Sequence, residues 1–301
     1  MKLSLRNLGQ VEQINFLLTN RIPRRAATKL MGWVSRIENR PLTALGIKAW
    51  RLLGDDLHLQ EAKQQHFKSL HDCFIRELKD GVRPIDAREH VLTSPCDALV
   101  GECGTVQNGQ VFQAKGFPYE LADLIPDPAL RAPYLNGQYI TLRLQSTMYH
   151  RFHAPLDCTV QRIDYLSGDT WNVNPIALKR IERLYARNER AVLPLHVKVG
   201  QVCMVPVAAI LVASLRLHAL KGEGDLRSYF QHRTGSHHRM PCQAQYAKGE
   251  EMGYFQHGST ILLFTTPEYQ FCPGIETGQR LYMGQPLMFL PSSTHNDSTT
   301  P

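Results

Sequence analysis

Hydrophobic and polar positions change rhythm as the chain proceeds. Leu30, Trp33, Val34 and Ile37 follow the i, i+3, i+4, i+7 spacing of one helical face. After Pro41, residues Leu42, Leu45, Ala49 and Leu52 repeat steps of three and four, with Trp50 at the border of the stripe. Two short amphipathic helices are predicted, the second weakened by Gly46. A further helix is predicted from Gln60 to Lys79, stopped by Gly81 and Pro84. Beyond it, short runs rich in Val, Ile, Thr and Tyr alternate with Gly, Pro and Asn turns, which is a strand pattern. These runs cover 139–144, 159–166, 196–202, 204–215, 261–265 and 279–290. Asn174-Pro175 places an N-cap before a proline at the first helical position and predicts a helix to about Arg187. The expected fold is α+β, with a mainly β body of packed antiparallel sheets behind a helical N-terminal region.

Composition sets the scale. With 301 residues, 43% hydrophobic and 20% charged, the chain suits one large domain with a smaller appendage. The expected division is 1–56 as a basic helical region, 57–291 as the main domain and 292–301 as a polar, unstructured tail. No apolar run is long enough to span a bilayer, and the N-terminus lacks the pattern of a cleaved signal. The longest apolar stretch, Val202 to Leu215, reads as buried strand. The seven cysteines are odd in number and form no Cys-x-x-Cys pair, so reduced thiols are expected rather than disulfides or a zinc knuckle.

The formal charge of +7 narrows the partners. Arg21, Arg24, Arg25, Lys29, Arg36, Arg40, Lys48 and Arg51 fall within 13–53, where Glu38 is the sole acid. Basic amphipathic helices with Trp near the apolar side lie in a membrane interface or pack their stripe on the protein's own core. Nucleic acid is disfavoured, because no aromatic stacking platform or zinc module accompanies the charge.

Three stretches could carry chemistry. Gly258-Ser259-Thr260 precedes an apolar, β-prone run. It reads either as a turn entering a buried strand or as a self-cleaving bond, with Ser259 attacking the Gly258 carbonyl. Tyr149-His150-Arg151-Phe152-His153-Ala154-Pro155 follows a strand, and Pro155 argues against a helix there. No carboxylate or third histidine lies at zinc-site spacing, so no metal is expected; His150 and His153 are structural, or one serves as a base. Ser94-Pro95-Cys96-Asp97-Ala98 is a turn in which Asp97 either caps backbone or orients a histidine. The segment 231–239, with His232, His237 and His238, reads as a solvated loop.

Taken in order, these stretches resemble the phosphatidylserine decarboxylase family, over most of the chain. Phe74-Ile75-Arg76-Glu77-Leu78 with Gly81-Val82-Arg83-Pro84, then Ser94-Pro95-Cys96-Asp97, Gln113-Ala114-Lys115-Gly116 and the Tyr149–Pro155 cluster, match in sequence. Asn188-Glu189-Arg190, and Lys248-Gly249-Glu250-Glu251-Met252-Gly253-Tyr254-Phe255 leading into Gly258-Ser259-Thr260, complete the set. His257, Ala98, Met148 and Cys158 depart from the family's usual Leu, Gly, Asp and Gly, and none of them carries the chemistry.

The resemblance implies a self-cleaving proenzyme. Asp97 would orient His153, His153 would take the Ser259 proton, and Ser259 would attack the Gly258 carbonyl. The products would be a β chain, 1–258, and an α chain, 259–301, with a covalent pyruvoyl group made from Ser259. That group would form a Schiff base with phosphatidylserine, and His150 would serve decarboxylation or reprotonation. The implied setting is the cytoplasmic side of the cell membrane, peripherally bound to an anionic surface, with room for a homodimer. Three alternatives stay open: a pyruvoyl enzyme for another serine lipid or amino acid, a hydrolase using Asp97, His153 and Ser259 on an external ester, and a non-catalytic lipid-binding protein.

Overall fold

The computed structural model describes residues 24–54, 56–113, 118–209, 215–220, 225–230, 234–256 and 259–291. The predicted polar tail, His232, His257, Gly258 and the Lys115-Gly116 motif lie outside them. Two helices, α1 (Arg24–Ser35) and α2 (Arg40–Leu53), open the described chain, and a short α3 (Leu70–Phe74) follows. Among the described residues the body is built from sixteen strands. They are β1 (Val91–Thr93), β2 (Ala98–Thr105), β3 (Gln110–Phe112), β4 (Pro118–Glu120), β5 (Gln138–Leu144), β6 (Arg151–His153), β7 (Cys158–Leu166) and β8 (Arg190–His196). After them come β9 (Val202–Ala208), β10 (Leu215–Leu217), β11 (His237–Tyr246), β12 (Glu251–Phe255), β13 (Ser259–Thr265), β14 (Gln270–Phe271), β15 (Arg280–Leu281) and β16 (Pro286–Phe289).

Eight strands form one antiparallel sheet in the order β11-β7-β8-β9-β13-β5-β2-β15. Its centre is β13, buried along its whole length between β9 and β5. A strand covered on both faces needs apolar residues at every position, and Ile261-Leu262-Leu263-Phe264 supplies them. Ile261 and Leu263 face a core shared with Phe152, Leu215, Phe255 and Leu287, which belong to two three-stranded sheets, β10-β12-β6 and β1-β16-β14. Leu262 and Phe264 face the other core, with Leu121, Leu124 and Tyr185 from short helices. Each such side chain contributes roughly 1.5–3 kcal/mol by leaving water, so the strand that begins at Ser259 is anchored from both sides. The expected α+β fold with packed antiparallel sheets is the one observed.

The N-terminal helices form where the periodicity places them. Asn39 caps α2, its side chain accepting the Leu42 N–H at 3.0 Å. Gly46 lets α2 approach α3, since a Cβ there would meet Leu70 Cδ2 at 2.9 Å. The apolar stripe faces outward: Trp33 is 68% exposed and Leu52 73%, with Leu30, Leu42 and Leu45 also exposed, whereas Ser35 and Thr43 are buried. Trp50, at the border, turns inward and stacks on Phe74 at 5.8 Å between ring centroids. Among the described residues no helix is long and apolar enough to cross a membrane.

Several predicted elements are divided. Gln60–Lys79 is not one helix. The Lys63 N–H donates to Glu77 O at 2.9 Å and the Lys79 N–H to Glu61 O at 2.8 Å, folding the segment on itself. Its buried positions, Ala62, Phe67 and Cys73, are spaced at five and six rather than three and four, which a helical face cannot satisfy. The helix from Asn174 breaks into Pro175–Leu178 and Leu184–Arg187, with Arg183 in a left-handed conformation between them. The run 196–202 is a turn at Gly200 (φ +69°) between β8 and β9 rather than a strand. The run 204–215 divides into β9 and β10, with 210–214 outside the described residues, and 279–290 divides into β15 and β16. His237 to Arg239, read as loop, opens β11 and pairs with β7.

Candidate active site

Ser259 is the first residue of β13, opposite Leu144 on one side and Ala208 on the other. It is fully buried, and its Oγ has no hydrogen-bond partner among the described residues. A buried polar group left in that condition costs roughly 1–3 kcal/mol. Ser259 lines a cavity of about 820 Å³ between the N-terminal helices and the ends of the central strands. Met31, Ala49, Trp50 and Phe74 form its apolar wall, and Arg143, Gln145 and Asn172 join Ser259 on the polar side. Arg36, at the end of α1, donates to Gln256 Oε1 at 2.6 Å and ties this roof to the segment that leads into Ser259.

Asp97 and His153 occupy a different and tightly bonded centre. The Asp97 carboxylate accepts Arg83 Nε at 3.0 and 3.1 Å, Arg83 Nη2 at 2.6 Å and the Met283 N–H at 2.9 Å. Arg83 also donates to Glu61 at 2.8 Å and lies over the Tyr282 ring. The His153 N–H donates to Pro95 O at 2.8 Å, so the turn carrying Asp97 grips β6 directly. Nδ1 of His153 lies 2.9 Å from Gly249 O, and Nε2 lies 3.0 Å from the Tyr149 hydroxyl. A carbonyl only accepts, so Nδ1 carries the proton and Nε2 is the basic nitrogen, receiving the Tyr149 O–H. Burial lowers the His153 pKa from 6.5, against a smaller raising effect of the Gly249 hydrogen bond, which keeps the ring neutral near pH 7. Burial also pushes the Tyr149 phenol well up, so it stays a donor. Arg83, Tyr149, His153 and Glu251 line a small polar pocket of about 190 Å³ here.

His150 stands between the two centres. Its Nδ1 lies 2.8 Å from Met148 O, which by the same reasoning makes Nε2 the basic nitrogen. The ring packs on Phe74 at 4.0 Å between centroids, and Phe74 lines the Ser259 cavity. Arg151 holds the histidine strand in place. Its Nη1 donates to Glu251 at 2.8 Å and its Nε to Ile75 O at 2.9 Å, while His218 meets the same Glu251 at 2.6 Å. Burial alone would raise the Glu251 pKa, but His218 and Arg151 together bring it below its usual value.

The fold thus brings the Asp97 turn to His153 through the Pro95 carbonyl, with Arg83, which bonds Asp97, lining the same small pocket as His153. No hydrogen bond joins the Asp97 and His153 side chains, and Ser259 lines a separate cavity. It brings His150 against the wall of the Ser259 cavity. Gly258 lies outside the described residues. The sequence motifs contain Arg83, Tyr149 and Gly249, but not the contacts that give them their parts. Arg143 lay in no motif. Its one signal was a charge inside the run Tyr139 to Leu144, a strand that proves to lie between two others.

The family profile described as phosphatidylserine decarboxylase matches residues 70–289, a span containing Asp97, His150, His153 and Ser259. Among curated relatives, the phosphatidylserine decarboxylase proenzyme of Vibrio parahaemolyticus is 34% identical over 274 residues, covering 88% of this chain and 94% of the relative. The proenzyme of the same description from Aliivibrio fischeri is 33% identical over 273 residues, covering 88% and 94%. That of Yersinia pestis is 31% identical over 286 residues, covering 92% and 96%.

Proposed function

The chain belongs to the phosphatidylserine decarboxylase family of carboxy-lyases, and from that premise we propose that it cleaves itself between Gly258 and Ser259 and then converts phosphatidylserine to phosphatidylethanolamine and CO2. The observation that carries the proposal is the setting of Ser259. A serine at the start of a doubly covered strand, fully buried, with an unpartnered hydroxyl and a largely apolar cavity before it, has no evident structural use for its polar atom. The same setting suits a small carbonyl, because the cavity wall keeps water away from it. A pyruvoyl group at 259 would supply the electron sink, joining the substrate amine as a Schiff base and accepting the electron pair left when CO2 departs.

The chain's own residues supply the rest. His153, at the position that matches the family motif, is the base for the Ser259 hydroxyl, a step that requires Ser259 to leave its separate cavity for the His153 pocket. Nε2 of His153 is engaged by Tyr149, so the transfer begins with Tyr149 moving off that nitrogen. Asp97 acts on His153 through the Pro95 turn that grips β6, with Arg83 fixing the carboxylate. His150, packed on the cavity wall, serves decarboxylation or returns the proton to carbon. Cleavage leaves a β chain ending at 258 and an α chain beginning at 259. The smaller chain keeps its place because β13 is bonded to both β5 and β9.

The protein works from the cytoplasmic face of a membrane, held peripherally by the outward apolar stripe and exposed Arg40, Lys48 and Arg51 of α1 and α2. The seven unpaired thiols fit a reducing compartment. Denaturing mass spectrometry tests the central claim. Wild type gives two chains, the smaller starting at 259 and blocked by a ketone, and Ser259→Ala gives one. A folded wild type that stays whole refutes it.

A further inference from the structure

Arg143 is the sole charged residue among the described residues lining the Ser259 cavity. It sits on β5 opposite Thr260, one register step from the pair Leu144 and Ser259. Its Nε is buried without an acceptor, and the side chain makes no hydrogen bond or ion pair among the described residues. The nearby polar atoms have the same character: Gln145 Oε1 and the hydroxyls of Thr141 and Ser259 are buried without partners among the described residues. The stem runs alongside Gly101 of β2, where an added Cβ would lie 3.4 Å from Arg143 Cδ. Elsewhere in this protein, well-buried arginines have their terminal nitrogens engaged: Arg83 holds two carboxylates, and Arg76, although its Nε is also unpartnered, and Arg190 hold backbone carbonyls, whereas no hydrogen bond of Arg143 is found among the described residues. A guanidinium kept partly from water with its donors idle is costly unless an anion arrives to take them.

On the reading that this cavity admits phosphatidylserine, we infer that Arg143 binds the phosphodiester of the substrate head group. Two anions compete for it, the phosphodiester and the serine carboxylate, and the reaction separates them. The carboxylate loses its charge as CO2 leaves, so a cation paired with it stabilises the starting state more than the transition state and slows the step. The phosphodiester keeps its charge from substrate to product. A cation there holds the head group equally well throughout, which lowers KM and leaves kcat alone. Successive strand positions project to opposite faces, but Arg143 and Ser259 both line this one cavity at the ends of β5 and β13, so a single head group can present its phosphate to one and its amine to the other. Gln145, which lines the same cavity, can share the phosphate oxygens.

The test compares full-length wild type, Arg143→Ala and Arg143→Lys. Each is first checked for two chains by denaturing mass spectrometry, then assayed for CO2 release from phosphatidylserine in mixed micelles. Arg143→Ala raises KM about 10- to 100-fold, the value of a lost charge-assisted hydrogen-bonded pair, with kcat falling less than about threefold. Arg143→Lys recovers part of that loss. Glycerophosphoethanolamine, the soluble head group of the product, loses inhibitory strength by the same factor, whereas ethanolamine without phosphate inhibits both proteins equally weakly. Unchanged KM and inhibition, or a loss confined to kcat, overturns the assignment.

Should Arg143→Ala fail to fold or split, the wild type still decides. Glycerophosphoethanolamine protects Arg143 from a dicarbonyl arginine reagent in peptide mapping, and ethanolamine does not; equal labelling in both refutes the inference. A wild type that neither splits nor releases CO2 defeats the enzymatic reading itself, and is distinguishable from these outcomes.

Discussion

The two polar centres of this molecule are built on opposite terms. Around Asp97 and His153, a carboxylate, a guanidinium, an imidazole and a phenol meet one another or backbone carbonyls at hydrogen-bonding distance. Around Ser259 and Arg143, buried hydroxyl, guanidinium and amide atoms stand without partners beside an 820 Å³ cavity. Low dielectric strengthens a satisfied network and penalises an unsatisfied one. The first centre is therefore complete as it stands and fixes the position of β6. The second is a place where the folded chain has left polar atoms for something else to meet. Proximity in the family motifs does not distinguish the two, but hydrogen-bond accounting does.

The largest effect expected from this contrast lies in the two histidines. His153→Ala removes the proposed base from the complete centre, and splitting of the chain slows by about 10²- to 10⁴-fold. His150→Ala leaves splitting close to wild type and lowers CO2 release by a similar factor. Quenched time courses on denaturing gels measure the first rate, and trapped CO2 the second. The reverse pattern, with His150→Ala whole and His153→Ala split, moves the base to the cavity wall and breaks the division of labour. The pH profile follows from the sign of the shift. A base acts when neutral, and burial lowers the His153 pKa below 6.5. The splitting rate is therefore flat above 6.5 and falls only on the acid side, with an apparent pKa below that value. In His153→Ala this acid limb disappears.

A second contrast compares two arginines by stability rather than activity. Arg83→Ala leaves the Asp97 carboxylate, 4% exposed, without its main partner. Breaking one side of a buried pair costs about 3–5 kcal/mol. Arg143→Ala removes a cation that pairs with nothing among the described residues, so the folded protein without lipid changes by less than about 1 kcal/mol. Urea titration of the two variants in the Ser259→Ala background, where the chain stays whole, measures both. Equal costs would mean that Arg143 is structural after all, and the distinction between a complete and an incomplete centre would fall.

Much of this was legible in the sequence, for reasons that can be located. The run Ile261-Leu262-Leu263-Phe264 has no polar face, which only a doubly covered strand tolerates, and β13 lies at the centre of the main sheet. The stripe Leu30, Trp33, Leu42, Leu45 and Leu52 set the helices but not their orientation. Periodicity reports that one face is apolar and does not say what that face meets. The segment 60–79 misled because its composition suits a helix, while its buried positions answer to a fold-back closed by Lys63 and Lys79. The residues of the complete centre could be named from motifs, yet the partner of each could not. Whether Asp97 turns to His153 or to Arg83 depends on where the Gly81–Pro84 turn lands, and that is set by tertiary packing.

The smallest expected effect, and the one that carries the contrast outward, concerns the surface of α1 and α2. These helices wall the incomplete centre with Met31 and Trp50, and the apolar stripe of α2 runs from Ala49 at the rim of that cavity to exposed Leu42, Leu45 and Leu52 among basic residues. If lipid reaches the cavity from a membrane, the outward leucines share that membrane. Leu45→Ser then weakens partition onto vesicles containing anionic lipid by about five- to tenfold, the value of part of one apolar side chain leaving the interface. Val199→Ser, an exposed apolar position on the turn between β8 and β9, changes nothing. Because the charge on α2 acts over a Debye length of about 8 Å at physiological salt, raising the salt weakens wild type and Leu45→Ser by the same factor and preserves the gap between them. Sedimentation with sucrose-loaded vesicles reads each arm. A Leu45→Ser protein that partitions like wild type, or a gap that closes with salt, would leave the membrane contact to charge alone and detach the apolar stripe from the cavity it covers.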